Sequence, residues 1–290
     1  MTRILHLSDP HLSRGGGPDA DGVDATASLD LILHAVRHVP GIDLVLVTGD
    51  IADDGTPEAC EAVRDRVGRF AAQRDVPHVY TTGNHDTRGA FAAVFGTGHL
   101  DAGGRDVGVM GTGVGHERAA VSHVGGPRVV TLDSLVPGET HGELSDAQLS
   151  WLRELLAETA EAGTVVALHH PPVAPAVSPL LPTVNLRDAE RLGRVIAGTD
   201  VQTVLCGHFH LQLSALWHGI PVWVTPGIIT RIDLSAPPGL ERAVKGAGAT
   251  VVELGGPYSP MFHTIHARDP EAGRQVYLVD AMSGEDVDRE

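Results

Sequence analysis

The sequence predicts a layered α/β protein. Short apolar segments of strand length alternate with amphipathic helical segments over most of the chain. Residues 43–48 (DLVLVT) are apolar almost throughout, which is typical of a strand covered on both faces. After residue 211, strand-like segments follow one another without helices, which indicates a second sheet packed on the first.

The first part of the chain alternates regularly. Predicted strands and helices take turns at residues 3–8, 24–39, 43–48, 57–74, 76–82 and 88–95. Thr56 followed by Pro57 is a typical helix start, because threonine caps free N–H groups and proline suits the first helical turn. Residues 96–115 are rich in glycine and lack periodicity, so they are predicted to be a loop.

The middle of the chain continues this pattern. We predict a hairpin that closes on Gly125 and Gly126, with arms at 121–124 and 128–132. Helices are then predicted at 146–162 and 186–196, and strands at 164–168 and 201–206. Between them, residues 171–182 contain five prolines and are predicted to be a stiff lid or connector.

The C-terminal part is predicted to consist of strands at 211–217, 221–224, 250–254, 261–266 and 275–279. We therefore predict one domain over 1–282, with 231–282 as a strand-rich extension. Residues 283–290 are strongly acidic and are predicted to be a disordered tail.

Composition limits the partners. The 290 residues include 21 Lys+Arg and 37 Asp+Glu, which gives a formal net charge of −16. An acidic chain repels phosphate backbones and anionic lipid, which argues against a nucleic acid polymer or stable membrane association and favours a small substrate. Two cysteines cannot build a disulfide framework, and we recognise no secretory pattern, so the cytoplasm is the expected location.

Candidate ligands follow five predicted strands. The chain has 17 histidines, and histidine is the commonest metal ligand. Metal-capable side chains follow these strands at Asp9, His11, Asp50, Asn84, His85, His169, His170, His208 and His210. Because ligands bind beyond the carboxyl ends of strands in open α/β sheets, these side chains are expected to meet in one crevice.

Their spacing and number suggest two metals. In an extended segment, Asp9 and His11 would point to the same side, as would His208 and His210. Glycines stand directly before candidate ligands at positions 49, 83 and 207, where a tight turn or close backbone approach would require them. The oxygen and imidazole donors exceed what one tetrahedral zinc needs, and this mixture suits Mn, Fe or Zn. Asp50 is the natural bridging carboxylate, because it is the lone ligand of its strand end.

The motif series D-x-H, GD, GNHD, HHPP and GHxH, in this order, resembles the calcineurin-like metallophosphoesterase superfamily. The stretches DIADDG (50–55), GNHD (83–86) and PGETHGEL (137–144) are most similar to bacterial class III cyclic nucleotide phosphodiesterases. The resemblance covers about residues 3–230. It implies a four-layer αββα sandwich, with two central mixed sheets flanked by helices, and a metal-dependent phosphodiesterase.

The resemblance also implies a ligand set for two divalent metal ions, for which a mixed Fe/Mn pair is plausible. One ion would be held by Asp9, His11, Asp50 and His210. The other would be held by Asp50, Asn84, His169 and His208. Relatives are often dimers, so a homodimer is possible.

The implied reaction is attack of a metal-bridging hydroxide on phosphorus. His85, next to Asn84, would steady the phosphate or protonate the leaving oxygen, with Asp53 holding its other ring nitrogen. His141 is a weaker candidate for substrate contact, and an ordinary loop histidine is an equal alternative. His170 would contact the lid or substrate, and Asn84 would contact the substrate as well as a metal.

The leading substrate is a 3′,5′-cyclic nucleotide such as cAMP. Protein phosphatases of the superfamily have arginine and glutamate where this chain has Asp54 and Asp86, so a phosphate-clamping arginine is missing and a diester is favoured. The alternatives are a 2′,3′-cyclic nucleotide or a glycerophosphodiester hydrolysed at the same site. A non-catalytic scaffold of the same fold is the rival from another class.

Overall fold

The computed structural model of the chain describes residues 1–287. In chain order, its strands are β1 (Thr2–Leu7), β2 (Leu44–Thr48), β3 (His78–Thr81), β4 (His99–Leu100), β5 (Val109–Met110), β6 (Ala120–Ser122), β7 (Arg128–Thr131), β8 (Thr164–Ala167), β9 (Val201–Cys206), β10 (Leu213–Trp217), β11 (Ile220–Val224), β12 (Arg231–Ile232), β13 (Leu240–Val244), β14 (Gly248–Leu254), β15 (Met261–His266) and β16 (Gln275–Asp280). Its helices are α1 (Ala25–Ala35), α2 (Pro57–Ala72), α3 (Arg88–Phe95), α4 (Asp146–Leu156), α5 (Leu181–Val184) and α6 (Ala189–Ile196).

The strands form two large mixed sheets and one small sheet. The first sheet has the order β15–β14–β1–β2–β3–β4, and the second has the order β10–β11–β9–β8–β7–β6–β5. In the first sheet β1, β2 and β3 are parallel, and in the second β7, β8, β9 and β11 are parallel. The third sheet, β12–β13–β16, is antiparallel.

Side chains that alternate along the central strands define four layers. Leu46 packs with Val165 in the apolar layer between the two large sheets. Its neighbour Val47 points the other way and packs with Val63 of α2. The second sheet packs its outer face against α4 and α6, in a cluster that includes Leu152. The predicted αββα sandwich is therefore confirmed, and the run at 43–48 is apolar because both faces of β2 are covered.

The prediction that the strands after residue 211 build the second sheet is wrong. β10 and β11 extend a sheet that begins with β5–β9, β14 and β15 join the first sheet beside β1, and β16 pairs with β13. The reason is long-range pairing: Thr2 of β1 lies opposite Leu254 of β14. Hydrophobic periodicity identifies a strand, but it does not identify the strand's partner.

Several element boundaries also differ from prediction. The loop predicted at 96–115 contains β4 and β5, each two residues long. The helix predicted at 186–196 begins only at Ala189. β12 and β13 were not predicted. The hairpin on Gly125 and Gly126 is confirmed as the pair β6–β7.

The predicted division of the chain into a domain over 1–282, its extension at 231–282 and a disordered tail stays a prediction. At the start of the predicted tail, the Val287 N–H donates to the carbonyl oxygen of Leu278 at 3.0 Å. Residues 288–290 lie outside the described residues. Among the helices of residues 1–287, none is both long and apolar enough to cross a membrane.

Candidate active site

Loops from both large sheets bring the candidate ligands together. The loops that follow β1, β2 and β3 approach from the first sheet, and those that follow β8 and β9 approach from the second. His210 Nε2 lies 3.5 Å from Asp9 Oδ1 and 3.3 Å from His11 Nε2. The expected convergence at the carboxyl ends of the strands is therefore observed.

Asp50 occupies the middle of this cluster. Its Oδ2 lies 3.2 Å from Nε2 of His169 and 3.4 Å from Nε2 of His11. His11 follows a strand of the first sheet, and His169 follows a strand of the second. Its Oδ1 accepts the backbone N–H of His85 at 2.9 Å. One carboxylate thus faces imidazoles from both ligand groups, which is the arrangement that a bridging ligand requires.

Each of the four candidate ligand imidazoles is held by a protein partner on one ring nitrogen. His169 Nδ1 lies 2.7 Å from the carbonyl oxygen of Thr48, and His208 Nε2 lies 2.9 Å from that of Val184. Nδ1 of His210 contacts the Thr230 hydroxyl at 2.8 Å, and Nδ1 of His11 contacts Asp53 Oδ1 at 2.9 Å. Such contacts fix the tautomer and aim the second nitrogen, as around metal-binding histidines.

One of the inward-facing atoms is buried without compensation. Asn84 Oδ1 has no hydrogen-bond partner within residues 1–287, whereas His169 Nε2 faces the carboxylates of Asp50 and Asp9 at 3.2 and 4.0 Å. A buried polar atom without a partner is costly unless something else satisfies it, and a cation accepts lone pairs of this kind. The donors are carboxylate, amide and imidazole, so the cluster fits divalent cations such as Mn, Fe or Zn.

The charges also suit cations. Burial alone would raise the pKa of Asp50, but the imidazoles of His169, His11 and His85 hold it well below its usual value. Burial likewise opposes ionisation of Asp9, yet His210 and His169 lower its pKa to about 2. Burial lowers the pKa of His208 to about 3. Both carboxylates are therefore ionised and His208 is neutral, as metal binding requires. Against the effect of burial, Asp50 and Asp9 raise the pKa of His169 to about 9, so a cation bound there would displace its proton.

His85 lies at the exposed edge of the cluster. Its Nδ1 is 3.2 Å from Asp53 Oδ1. This contact is the main reason why the pKa of His85 is raised to about 9, against the opposing effect of burial. Cations bound nearby would oppose the shift, because like charges repel. The predicted proximity of Asp53 to His85 is observed, and the same carboxylate oxygen also holds His11.

The backbone of the cluster is unusual. Asp9, His11, Asp50, His208 and His210 all have φ between 46° and 71°. This left-handed region disfavours residues that have a Cβ, and such strain concentrates at functional sites. The prediction that Asp9 and His11, or His208 and His210, align because they lie in extended strands is therefore wrong. They converge because each loop turns back on itself immediately after its strand.

The glycines before the ligands provide the predicted close approach. A Cβ at Gly207 would lie 2.8 Å from Asp9 Oδ2 and would overlap the Ser8 hydroxyl. A Cβ at Gly83 would overlap the Asp50 carboxylate. Any side chain at these two positions would therefore displace a candidate ligand.

Two further predicted residues, His170 and His141, are buried, and His170 lies beside the cluster. His170 Nδ1 lies 2.8 Å from the Ser134 hydroxyl, and the rings of His170 and His208 are 4.5 Å apart. His141 lies with Nδ1 3.4 Å from Glu139 and Nε2 3.4 Å from Glu143. Their roles in substrate binding stay predictions.

The structural role of Asp86 was not predicted. Its carboxylate accepts the N–H groups of Ile51, Ala52 and Gly83 at 2.8–3.2 Å. It therefore ties the loop that carries Asp50 to the loop that carries Asn84. The GNHD motif marks the position, but no sequence signal identifies its partners.

A cavity of about 430 Å³ opens beside the cluster. Asp50, Asn84, His85, His208 and His210 are among the residues that line it. The opposite wall comes largely from the third sheet, from the loop at 19–21 and from residues 180–184, which include α5. A buried metal-binding cluster that opens into a cavity of this size defines a candidate dinuclear hydrolase centre.

The chain belongs to the calcineurin-like phosphoesterase family, whose profile matches residues 2–212. It is 39% identical over 253 residues to a probable cyclic nucleotide phosphodiesterase of Rhodococcus erythropolis, covering 87% of this chain and 79% of the relative. It is 38% identical to the cAMP/cGMP dual specificity phosphodiesterase MT0825 of Mycobacterium tuberculosis, covering 87% and 75%. A dimetal phosphatase from Danio rerio shares the fold at 16% identity, with a TM-score of 0.58 over 90% of this chain and 98% of that chain.

Proposed function

We propose that this protein hydrolyses 3′,5′-cyclic nucleotides with two divalent cations. Asp9, His11, Asp50 and His210 would hold one cation, and Asp50, Asn84, His169 and His208 the other. The observation that carries the proposal is the position of Asp50 Oδ2, between imidazoles of both groups. The two relatives named as cyclic nucleotide phosphodiesterases support the choice of substrate.

When bound, the cations would supply Lewis acidity and lower the pKa of a water molecule. The residues of the chain supply the remaining functions. His85 carries a proton that it can give to the leaving O3′ as the P–O3′ bond breaks. One water molecule adds its oxygen to phosphorus, and a proton that this water loses returns His85 to its protonated state. Asp53 keeps this imidazole charged and oriented.

The identity of the metals is also a proposal. Oxygen and imidazole donors without thiolate favour Mn, Fe or Zn, and a mixed Fe/Mn pair fits the same donor set. Cys206 is buried within β9 and Cys60 within α2, and both are free thiols. The homodimer and the cytoplasmic location stay predictions.

The test compares wild-type protein with Asp50→Asn. Protein stripped with a chelator and reloaded with Mn²⁺ is assayed with 3′,5′-cAMP, 2′,3′-cAMP, glycerophosphocholine, bis-p-nitrophenyl phosphate and p-nitrophenyl phosphate, and its metal content is measured. Asp65→Asn, on the exposed surface of α2, is the matched control. We expect wild-type protein and Asp65→Asn to hydrolyse diesters, including 3′,5′-cAMP. We expect Asp50→Asn alone to lose both this turnover and its bound metal.

Other outcomes would favour the alternatives. Diester turnover that excludes 3′,5′-cAMP would move the assignment to a 2′,3′-cyclic nucleotide or a glycerophosphodiester. Turnover of the monoester alone would contradict the diesterase proposal. If no metal supports turnover, the non-catalytic scaffold becomes the better explanation.

A further inference from the structure

The wall of the cavity opposite the cluster is formed by a part of the chain that carries none of the family motifs. Glu241 of β13 and Tyr277 of β16 line it from the third sheet. His85, Asn84 and His210 line the other side. A substrate that places its phosphate on the cluster can therefore place its organic group against the third sheet.

Strand register aims these side chains into the cavity. Tyr277 lies opposite Ala243 in the β13–β16 pair, and Ile232 lies opposite Ala243 in the β12–β13 pair. Directly opposed residues share a face of the sheet, and so do residues two apart along a strand. Glu241, two residues before Ala243, therefore shares the face of Tyr277. Both lie on the side that borders the cavity.

The third sheet is attached to the candidate metal cluster. The Ile232 N–H donates to the carbonyl oxygen of His210 at 3.0 Å, and the Thr230 hydroxyl contacts His210 Nδ1 at 2.8 Å. The distance between the wall and the cluster is thus set by backbone and side-chain contacts of one loop. A wall fixed in this way can select ligands by length and chemistry.

The wall carries carboxylates that can accept hydrogen bonds from uncharged O–H and N–H groups of a ligand. The Tyr277 hydroxyl donates to Glu241 Oε1 at 3.4 Å, and Asp19 and Asp21 line the cavity nearby. A carboxylate repels phosphate but accepts hydrogen bonds from O–H and N–H groups. The aromatic ring adds an apolar surface suited to a base or sugar.

We propose that Glu241 and Tyr277 bind the nucleoside part of the substrate, with Glu241 accepting a hydrogen bond from a ribose hydroxyl or a base N–H. This inference rests on the proposed function, because it presumes a nucleotide. The two side chains thereby determine specificity, whereas the cluster performs the reaction on any diester that reaches it.

The test measures binding and turnover separately. Mn²⁺-loaded wild-type protein, Glu241→Gln, Tyr277→Phe and the exposed control Glu161→Gln are titrated calorimetrically with 5′-AMP and with inorganic phosphate. Because both ligands contain a phosphate group, the ratio of their two affinities cancels any effect that the lost charge has on phosphate binding. We expect Glu241→Gln to lower this ratio about 10- to 100-fold. Tyr277→Phe should lower it less, and Glu161→Gln should not change it.

Turnover should follow the same pattern. The ratio of kcat/KM for 3′,5′-cAMP to that for bis-p-nitrophenyl phosphate, which has no N–H or O–H donor, should fall similarly in Glu241→Gln. Assays of 2′-deoxy-3′,5′-cAMP, which lacks the ribose hydroxyl, and of the 3′,5′-cyclic nucleotide of unsubstituted purine, whose base has no N–H, identify the donor. For the substrate that lacks this donor, kcat/KM should be the same in wild-type protein and in Glu241→Gln.

The two proposals fail in different ways. If wild-type protein hydrolyses the nitrophenyl diester but not cAMP, the proposed function is contradicted. If 5′-AMP and phosphate bind with the same affinity ratio in wild-type protein and Glu241→Gln, the nucleoside wall is contradicted, whichever substrates are turned over. Thermal melts confirm that each variant is folded.

Discussion

The Asp53 carboxylate lies 3.2 Å from Nδ1 of His85, at the edge of the candidate metal cluster. In the metal-free protein this contact raises the pKa of His85 to about 9, so the ring carries a proton at neutral pH. The same oxygen contacts His11 at 2.9 Å. One side chain that is not itself a proposed ligand therefore orients both a ligand and the proposed proton donor.

Replacing Asp53 by Asn should lower the pKa of His85 and slow turnover. The neutral amide stabilises imidazolium less than a carboxylate does, and loss of such a partner typically costs about 10- to 100-fold in activity or metal affinity. The pKa is measured by NMR titration of metal-free protein, with the His85 signal assigned by comparison with His85→Gln. Asp54→Asn, at the exposed neighbouring carboxylate, is the control. Equal behaviour of the two variants would exclude the proposed role of Asp53.

His85→Gln should distinguish leaving groups. If His85 protonates the leaving oxygen, kcat for 3′,5′-cAMP should fall by about 100- to 10,000-fold. The kcat for bis-p-nitrophenyl phosphate should fall much less, because nitrophenolate leaves without needing a proton. His38→Gln, at an exposed position on the loop after α1, serves as the control. An equal loss for both substrates would show that His85 acts on the phosphate and not on the leaving group.

The strand-end ligands could be predicted because their signal is local. Each candidate ligand follows an apolar strand within a few residues, and carboxyl ends of parallel strands share an edge. The left-handed backbone at Asp9 and His210 could not be predicted in this way. A motif letter identifies the side chain but not φ, and the tertiary contacts that stabilise such strain come from distant residues.

The C-terminal region shows why the remainder could not be predicted. β14 lies between β1 and β15, with Thr2 opposite Leu254. The sequence of β14 reads as a strand, but its partner is chosen by burial against the second sheet. Glu241 and Tyr277 likewise belong to no motif, and only the register of the third sheet brings them to the cavity.

Gly207→Ala should destabilise the protein, whereas Gly89→Ala should stabilise it. The new Cβ at position 207 would lie 2.8 Å from Asp9 Oδ2, and overpacking of this kind costs about 1–3 kcal/mol. Position 89 lies in α3 with open space around it, where alanine gains about 0.5–1 kcal/mol over glycine. Urea unfolding of metal-free protein measures both effects. A Gly207→Ala variant as stable as wild-type protein would contradict the close packing of this loop.

Buried histidines should make the fold sensitive to acid. His99 contacts Ser122 and Thr131, and burial lowers its pKa to about 3, against 6.5 in an unfolded chain. Between these two values the unfolded state binds a proton that the native state does not. The free energy of unfolding therefore falls as pH drops below about 6.5, with a slope from this residue of about 1.4 kcal/mol per pH unit.

Replacing His99 by Gln removes the titrating group and should flatten this slope between pH 4 and 6. Urea unfolding at several pH values measures the slope. The exposed neighbour His123, changed to Gln, is the reference for loss of a histidine from the same strand region. An unchanged slope in His99→Gln would mean that His99 is protonated in the native state.

Metal binding should stabilise the fold in proportion to the number of sites that remain. Asp9 and Asp50 are ionised side by side, and the side-chain oxygen Oδ1 of Asn84 is buried without a hydrogen-bond partner in residues 1–287. Bound cations would relieve the repulsion between the carboxylates and the cost of burying these oxygens. At a free Mn²⁺ concentration of 100 Kd, one site adds about 2.7 kcal/mol to the free energy of unfolding.

Asn84→Ala removes a proposed ligand of one cation only, so its metal content should fall from two ions to one and its thermal stabilisation by Mn²⁺ should decrease but persist. Asp50→Asn affects both sites and should abolish most of the stabilisation, whereas Asn185→Ala should retain all of it. If Asn84→Ala lost both ions, the assignment of Asn84 to a single site would be wrong.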